Sequence, residues 1–348
     1  MEIESNSTQS KHIHINHNPS VYEPKPSTLE LKKVLNGEVE VSHQLEKTIL
    51  SQYAKTFALA GLFLPKKILN DAATIYTFCR LVDDIADEEL LEQQSAQNAQ
   101  NELNKLSMEL LNYTPRPICK NFLQLLERLK IPVEVPQELI KGCREDLDQK
   151  IMPNTRSLIR YCYRVAGTVG IMMAKALGVK KKCAFAHAID LGIAMQLTNI
   201  CRDIAEDATN RRVYLPVDQL QMQNILPQEI LNYTLHETQL VPVVKWALAL
   251  ADQFYQSGWD GLRYIPIRSR FAILTASLMY RRIGVKLLHR ECTPFQGRVC
   301  LTPREKLLEI LKSVYLFFTP NILGISKPKR HKQTLHSLLE NLPLTNSN

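Results

Sequence analysis

The chain has 348 residues, of which 45% are hydrophobic, and this length and composition are sufficient for a folded core. A formal net charge of +8 favours an anionic partner, either a small phosphorylated molecule or a membrane surface. Only 7% of the residues are aromatic and no nucleic-acid-binding motif occurs, so we expect no nucleic-acid partner.

The periodicity of the apolar residues predicts an all-α protein. Between residues 46 and 320, apolar side chains recur every three or four positions, whereas the alternating pattern of β-strands does not stand out. Short breaks that contain proline separate the helical stretches, and none of them resembles an interdomain linker. We therefore predict one α-helical domain over residues 46–320.

The two ends of the chain differ from this domain. Residues 1–45 are polar and lack apolar periodicity, which predicts a disordered N-terminal tail. Residues 321–348 are basic, and we predict a flexible C-terminal tail that is either solvated or in contact with anionic lipid. No apolar run approaches the ~20 residues that span a bilayer. Because the eight cysteines show no paired spacing and no signal peptide precedes them, we expect a cytoplasmic protein, peripheral at the membrane at most.

The first chemically distinctive stretch is "IYTFCRLVDDIADEE", in which two carboxylates lie four residues apart. In a helix, one face of this stretch would carry a ring, a cation and two carboxylates: Tyr76, Arg80, Asp83 and Asp87. The apolar residues fall on the other faces, where they can pack. The stretch therefore predicts a helix with a polar row beside a core.

A second row occurs in "QLTNICRDIAED", where Asn199, Asp203 and Asp207 follow one another at four-residue spacing and Gln196 lies on the same side. Carboxylates at this spacing repel each other, and more strongly beside a core, so a positive partner is expected. Arg212 and Tyr214 follow directly in "ATNRRVYLP".

Together the two rows predict a magnesium–diphosphate site. Oxygen ligands without thiolates or imidazoles suit a hard cation such as Mg²⁺, which shares phosphate oxygens, and arginine balances the remaining phosphate charge. The alternative is that each row is a solvated helix face paired with lysine and arginine.

The stretch "RYCYRVAGTVGIMMAKALG" predicts a helix over residues 160–178 with Gly167 and Gly170 in its interior, where each glycine costs about 1 kcal/mol relative to alanine. Two explanations stay open. The glycines allow a close approach of another helix, or they leave room for an apolar substrate.

Three motifs, "FCRLVDDIAD", "YCYRVAGTVG" and "QLTNICRDIAEDATNRRVYLP", resemble those of the squalene and phytoene synthase family of head-to-head prenyl synthases. The resemblance extends over residues 53–311, and "RSRFAILTASLMYRRIGVKL" is closer to bacterial phytoene synthases than to squalene synthases. It implies a single-domain isoprenoid (terpenoid) synthase fold with a central cavity lined by the two acidic helices.

The resemblance also implies an activity. Two molecules of geranylgeranyl diphosphate would condense to prephytoene diphosphate and rearrange to phytoene, the first step of carotenoid biosynthesis, with Mg²⁺ or Mn²⁺ and without NADPH. One alternative is a squalene or dehydrosqualene synthase that acts on farnesyl diphosphate. Another is an inactive relative that serves as an assembly or binding factor. The oligomeric state is left open.

Site residues are carried over by motif position. The predicted catalytic and metal-binding residues are Asp83, Asp87, Asn199, Asp203 and Asp207. The predicted substrate- and diphosphate-binding residues are Tyr53, Lys55 and Thr56 of "YAKTF", with Tyr76, Arg80, Tyr161, Gln196, Arg202, Arg212, Tyr214, Tyr280 and Arg304. The segment "GCREDLDQKIMPN" carries Asp146 and Asp148 but departs from the family pattern, so the motifs alone do not decide the substrate chain length.

Overall fold

The structure is a computed structural model that describes residues 26–35, 41–53, 59, 61–87, 95–112, 116–290, 295 and 297–345. Statements about structure refer to these residues.

The described chain is all-α, as predicted, and forms a single domain. Its α-helices, in chain order, are α1 (Pro26–Leu35), α2 (His43–Tyr53), α3 (Lys66–Ala86), α4 (Ala96–Asn112), α5 (Pro117–Leu129), α6 (Glu134–Asp148), α7 (Thr155–Cys162), α8 (Thr168–Ala176), α9 (Ala184–Arg202), α10 (Ile204–Thr209), α11 (Val217–Gln221), α12 (Pro227–Leu231), α13 (Val241–Gly261), α14 (Ile267–His289), α15 (Pro303–Phe317) and α16 (Pro320–Leu323). A π-helical turn, Tyr163–Gly167, joins α7 to α8, and short 3₁₀ turns occur at Glu237–Leu240, Leu262–Tyr264 and Gln333–His336.

Helices α3 and α9 form the centre of the fold. Helix α9 packs against α8, α13 and α14, and α3 packs against α2, α6 and α8. Ile75 and Ile85 of α3 and Ile193 and Leu197 of α9 are completely buried. Because each helix places apolar residues on its inner faces, its polar row is held at the edge of the core.

Close packing accounts for Gly170. A β-carbon on Gly170 would lie 2.2 Å from the carbonyl oxygen of Ala188 on α9, and one on Gly192 of α9 would lie 2.2 Å from the carbonyl oxygen of Ala166. The backbones of α8 and α9 therefore touch where only hydrogen atoms fit between them. Of the two explanations left open by the sequence, close approach applies to Gly170, although this residue also lines the cavity described below.

The second polar row is interrupted but keeps its register. The sequence predicts one helix over residues 196–207, whereas α9 ends before Asp203 (φ −104°, ψ 14°) and α10 begins after it. The Asp203 amide still donates to the Asn199 carbonyl at 2.9 Å, and the Asp207 amide donates to the Asp203 carbonyl at 2.8 Å. The three side chains consequently stay on the same side of the chain.

A short parallel bridge between Ile151 and Val213 holds the loop that follows α10. The Met152 amide donates to the Val213 carbonyl at 2.9 Å, and the Val213 amide donates to the Lys150 carbonyl at 2.8 Å. Because Arg212 and Tyr214 flank Val213, this pairing fixes both side chains beside the end of α6.

Residues 326–345 lie against the helical body. Tyr163 donates to the Pro343 carbonyl at 2.6 Å, Arg160 donates to the Glu340 carbonyl at 3.1 Å, and Leu339 is buried. The flexibility predicted for residues 321–348 stays a prediction, but this segment has packing partners that its composition did not indicate. Most of the predicted N-terminal tail lies outside the described residues, but its described part includes α1, which buries Leu31 and Val34. Within the described part of the chain, every helix is too short or too polar to cross a bilayer.

Candidate active site

A cavity of about 420 Å³ lies between α3, α8, α9 and α14. Most of its wall is aliphatic, contributed by side chains such as Leu69, Val169, Met173 and Leu191. The predicted site residues that line it are Tyr76, Arg80, Asp83, Tyr161, Gln196, Asn199 and Tyr280. The cavity is therefore apolar along its length and polar at the end where both acidic rows meet.

The first row faces this polar end. Arg80 donates from Nη1 to Asp83 Oδ2 at 3.0 Å and also contacts the fully buried carboxylate of Asp84. Asp87 follows the last residue of α3, where its amide donates to the Asp83 carbonyl at 2.8 Å. Arg80 therefore pairs with carboxylates of its own helix, Asp83 and Asp84.

Arg212 connects the two rows. Its Nη1 lies 2.7 Å from Asp87 Oδ1, across 125 positions of the sequence. Burial lowers the pKa of Arg212, but Tyr214, Asp87 and Asp146 raise it by more, so the pKa of this guanidinium is raised overall. The loop after α10 and the end of α3 are therefore joined by an ion pair at the polar end of the cavity.

Asp203 has two arginine partners. Arg202 donates to it from Nε at 2.8 Å and from Nη2 at 2.5 Å. Arg298 donates from Nη2 to Asp203 Oδ2 at 3.3 Å and also contacts Glu206 at 3.3 Å. The sequence did not indicate Arg298, because it lies in an aperiodic stretch far from either motif.

Asp207 and Asn199 are the members of the second row that suit a cation most clearly. Burial raises the pKa of Asp207 to about 8, and the neighbouring charges of Asp203 and Glu206 add to this shift. Asn199 Oδ1 is buried and accepts no hydrogen bond from the described residues. A partly buried carboxyl among like charges and, eight positions earlier in the same row, an orphaned amide oxygen both fit the ligand preference of a hard divalent cation.

Asp146, on α6, joins the site although it was not among the predicted site residues. Tyr161 donates its hydroxyl to Asp146 Oδ2 at 2.7 Å, and the Tyr161 ring stacks on Tyr214 with centroids 5.0 Å apart. Burial raises the pKa of Asp146 to about 7, against the opposing effects of Tyr161 and Arg212. Its partners come from other elements, so no local spacing marks it as a site residue.

The tyrosine hydroxyls and cysteine thiols of the wall are poor nucleophiles. Burial raises the pKa of Tyr76, Tyr161 and Tyr280, so these hydroxyls stay neutral. Burial also raises the pKa of the Cys79 thiol to about 12 and that of Cys143 well above its usual value. A reactive cation in this cavity would consequently meet ring faces and un-ionised groups.

The other predicted residues lie outside the cavity wall. Arg202, Arg212 and Tyr214 stand at its polar rim with Asp87, Asp203 and Asp207, through the contacts given above. Arg304 is exposed in the first turn of α15 and is not among the lining residues. Lys55, Thr56 and the side chain of Tyr53 lie outside the described residues. Roles for Arg304, Tyr53, Lys55 and Thr56 therefore stay predictions.

Known proteins are similar to this chain in both sequence and fold. Residues 50–305 match the family described as squalene/phytoene synthase. The chain is 32% identical to a 15-cis-phytoene synthase of Enterobacter agglomerans over 262 residues, 73% of this chain and 88% of the relative. It is 31% identical to a 15-cis-phytoene synthase of Pantoea ananas over 288 residues, 80% of this chain and 92% of the relative.

A solved structure described as a dehydrosqualene synthase in complex with ligand superimposes with a TM-score of 0.69. The two chains are 26% identical, and the match covers 83% of this chain and 99% of the other. The fold is thus the terpenoid synthase fold, as predicted, and the relatives support an enzyme of the prenyltransferase type. With a family match that covers most of its length, the chain belongs to the squalene/phytoene synthase family.

Proposed function

We propose that this protein is a phytoene synthase, which joins two molecules of geranylgeranyl diphosphate through prephytoene diphosphate to phytoene. The observation that carries the proposal is the apolar cavity that ends between two oxygen-rich rows. Such a cavity accepts a long hydrocarbon chain along its wall and the diphosphate at its polar end. The two bacterial relatives are both 15-cis-phytoene synthases, which supports the longer substrate.

Mg²⁺, or Mn²⁺ in its place, would be held by Asp83 and Asp87 on one side and by Asn199, Asp203 and Asp207 on the other. When bound, the cation would make diphosphate a better leaving group by withdrawing charge from its oxygens. The orphaned Asn199 oxygen and the raised pKa of Asp207 support this assignment.

Arginines already positioned on the carboxylates would bind the diphosphate. Arg202, Arg212 and Arg298 each pair with an aspartate of the acidic rows. We expect these guanidinium groups to turn to phosphate oxygens when the carboxylates acquire other partners, because both phosphate and carboxylate match the fork of an arginine. The site would then exchange one set of ion pairs for another and leave no buried charge unpaired.

The wall would protect the cation that forms when diphosphate leaves. Aliphatic side chains exclude water, and the neutral hydroxyls and thiols described above offer no ready nucleophile. The ring faces of Tyr76, Tyr161 and Tyr280 would stabilise positive charge. Each step ends with loss of a proton, which the released diphosphate would accept, and because no hydride is consumed, NADPH is not required.

A second candidate is a synthase that makes squalene or dehydrosqualene from farnesyl diphosphate. The similar solved structure of a dehydrosqualene synthase favours it. Along α3 the cavity wall runs from Leu69 to Asp83, which is about 21 Å at about 1.5 Å per residue. The two substrates differ by one isoprene unit, so the apolar end of this wall decides between them.

To test this, purified protein is incubated with Mg²⁺ and either geranylgeranyl diphosphate or farnesyl diphosphate, each with and without NADPH. The extracted hydrocarbon is then identified by mass spectrometry. Phytoene from the longer substrate without NADPH is expected. A product of thirty carbons would assign the second candidate. If neither hydrocarbon forms although circular dichroism shows that the protein is folded, both candidate activities are overturned and the inactive binding factor is favoured.

A further inference from the structure

Helix α15 carries apolar residues on its outer side as well as on the side that packs against the core, where Ile310, Leu316 and Phe317 lie. Its inner side buries Glu309 and Ser313, whereas its outer side exposes large apolar residues by 44% to 75%. We call these residues the α15 surface: Leu307, Leu308, Leu311, Val314, Tyr315 and Phe318. Their spacing of three and four positions makes one continuous stripe. An apolar stripe of this length facing water costs free energy unless something covers it.

The stripe continues onto neighbouring elements. Phe317, at the end of α15, meets the Phe271 ring edge-to-face at 5.7 Å, and Phe271 meets Phe63 in the same way at 4.9 Å. Leu62 beside Phe63 and Ile267, one turn before Phe271, are exposed. The apolar area therefore extends from α15 across the start of α14 to the loop before α3.

This area lies at the apolar end of the cavity. Gly61 and Leu64, which flank the exposed pair Leu62 and Phe63, line the cavity wall, as does Ile265 beside the start of α14. The first acidic row is at the opposite end of α3, since this helix begins after the loop and carries Asp83 in its last turn. The outer apolar area and the inner apolar wall are thus separated by a single loop.

Basic residues surround the apolar area. Between positions 306 and 330 there are five basic residues and one acidic residue, the buried Glu309. Lys66 and Lys67 follow the Phe63 loop, Arg268 follows Ile267, and all three are exposed. A second copy of this chain would bring the same cations against each other, whereas anionic headgroups would pair with them.

We propose that the α15 surface, with Leu62 and Phe63, binds an anionic phospholipid bilayer and holds the apolar end of the cavity at the bilayer surface. The apolar side chains enter the boundary between headgroups and acyl chains, and the lysines and arginines contact the headgroups. No helix needs to cross the bilayer for this contact. The sequence leaves the basic tail either solvated or in contact with anionic lipid, whereas the structure assigns the contact to a helix face.

If the proposed function holds, docking in this orientation gives the hydrocarbon product a route into the bilayer. A hydrocarbon product is far more soluble in a bilayer than in water, and its exit through the loop at Gly61 would lead directly into acyl chains. The diphosphate end would remain in water, where released diphosphate can leave.

Flotation with vesicles of phosphatidylglycerol and phosphatidylcholine in equal parts tests the docking. The variant is Leu311→Glu/Tyr315→Glu, since both residues are exposed and neither lines the cavity. The matched control is Met222→Glu/Leu226→Glu, which places the same charge on two exposed apolar residues of another surface. Wild type and control are expected to float, whereas the variant should lose about tenfold or more in partition.

The outcomes separate the explanations. Equal flotation of variant and control, or no flotation of the wild type, overturns the proposal. Equal binding to vesicles of phosphatidylcholine alone overturns the anionic part of it. If sedimentation velocity shows a wild-type dimer that the variant abolishes, the surface is an interface between copies of this chain. Phytoene formation from detergent-dispersed substrate is measured in parallel, so a failure of docking and a failure of the proposed activity remain distinguishable.

Discussion

Arg212 and Asp87 form an ion pair of 2.7 Å. This pair joins the loop after α10 to the end of α3, the helix that carries the first acidic row. The Arg212 side chain is 14% exposed and that of Asp87 is 35% exposed, so the pair is partly shielded from water. It stands at the rim where both rows meet, which is where a diphosphate bound to the aspartates would be reached by the same guanidinium.

The first prediction concerns this arginine. Arg212→Gln should lower kcat/KM by about 10²- to 10³-fold, because a charge that stabilises the departing diphosphate is lost in a partly desolvated site. Steady-state kinetics with geranylgeranyl diphosphate measure the effect.

Arg211→Gln provides the matched control for Arg212→Gln. Arg211 is the preceding residue, carries the same charge and is exposed. We expect it to change kcat/KM less than about threefold, as surface charges are screened. Equal losses in the two variants would mean that the overall charge of the rim, and not the Arg212 contact, matters.

The second prediction concerns Asp207. Asp207→Asn should raise Tm by about 2 °C or more in EDTA, because it removes a buried carboxyl that stands among like charges. The same change should reduce the rise in Tm that MgCl₂ causes in the wild type. Differential scanning fluorimetry in EDTA and in MgCl₂ measures both effects.

The carboxylates on either side, Asp203 and Glu206, are the possible controls for Asp207→Asn. From the sequence, Asp203→Asn is expected to melt at the wild-type temperature or higher. In the structure Asp203 is paired with Arg202 and Arg298, so the change removes the carboxylate partner of Arg202 and one of the two carboxylate partners of Arg298. Glu206→Gln is the better control, since Glu206 is exposed and contacts only Arg298 among the described residues. If Glu206→Gln matched Asp207→Asn in both conditions, burial at Asp207 would not be the cause.

The acidic rows could be predicted because helical spacing is local information. Asp83 and Asp87 are separated by one turn, and so are Asn199 and Asp203, and the apolar residues between them indicate which side is buried. Asp146 could not be found in this way, because its partners Tyr161 and Tyr214 come from other elements. When tertiary packing brings residues together from separate elements, the sequence shows no regular spacing that would identify them.

The outer helices show a second limit. The spacing of apolar residues predicts a helix near residues 303–317 but does not state which side of it faces the core. In α15 the core side buries Glu309 and Ser313 beside partly buried apolar residues, while six other large apolar residues face outward. Sequence reasoning assumes that apolar residues face inward, and that assumption fails where a surface serves a partner other than the protein's own core.

The third prediction concerns the contact between α8 and α9. Gly170→Ala should destabilise the fold by about 1–3 kcal/mol, because the new methyl would lie 2.2 Å from a backbone oxygen that cannot move without shifting α9. Gly167→Ala is the control, since its nearest contact would be the Tyr163 ring at 3.1 Å, which can give way. Urea unfolding monitored by circular dichroism compares the two variants. A smaller loss for Gly170→Ala than for Gly167→Ala would contradict the close approach.

A buried cluster attaches the C-terminal segment to α9. Asp190 accepts hydrogen bonds from His331 at 2.7 Å, from His336 at 2.8 Å and from Ser257 at 2.5 Å. His336 also points Nδ1 at the Thr345 carbonyl, 2.9 Å away, so both of its ring nitrogens face oxygens that cannot donate. Such a histidine is satisfied only when it is doubly protonated. Of the other groups at the cluster, His187 lies 5.2 Å from His331, and its pKa is lowered by burial and by His331.

The fourth prediction is a pH dependence of stability from this cluster. Burial lowers the pKa of His336, but the bond and charge of Asp190 raise it by more, so the net value is above 6.5. Burial raises the pKa of Asp190, but His331 and His336 lower it by more, to below 3.8. The His336 contribution is complete below pH 6.5 and is lost as the pH rises through its folded pKa. The Asp190 contribution is present above pH 3.8 and is lost as the pH falls through its folded pKa.

His336→Gln should therefore lower Tm most at about pH 5 to 6 and progressively less toward pH 9. His236→Gln, at an exposed histidine outside the cluster, should change Tm little at any of these pH values. A deficit for His336→Gln that stayed constant from pH 5 to 9 would mean that the ring contributes packing and not charge. Asp190, His331 and His336 also have the composition of a metal site, and this is tested in the same scan. If EDTA lowered the wild-type Tm at pH 8 but not that of His336→Gln, a metal ion and not a proton would join the imidazole to the carboxylate.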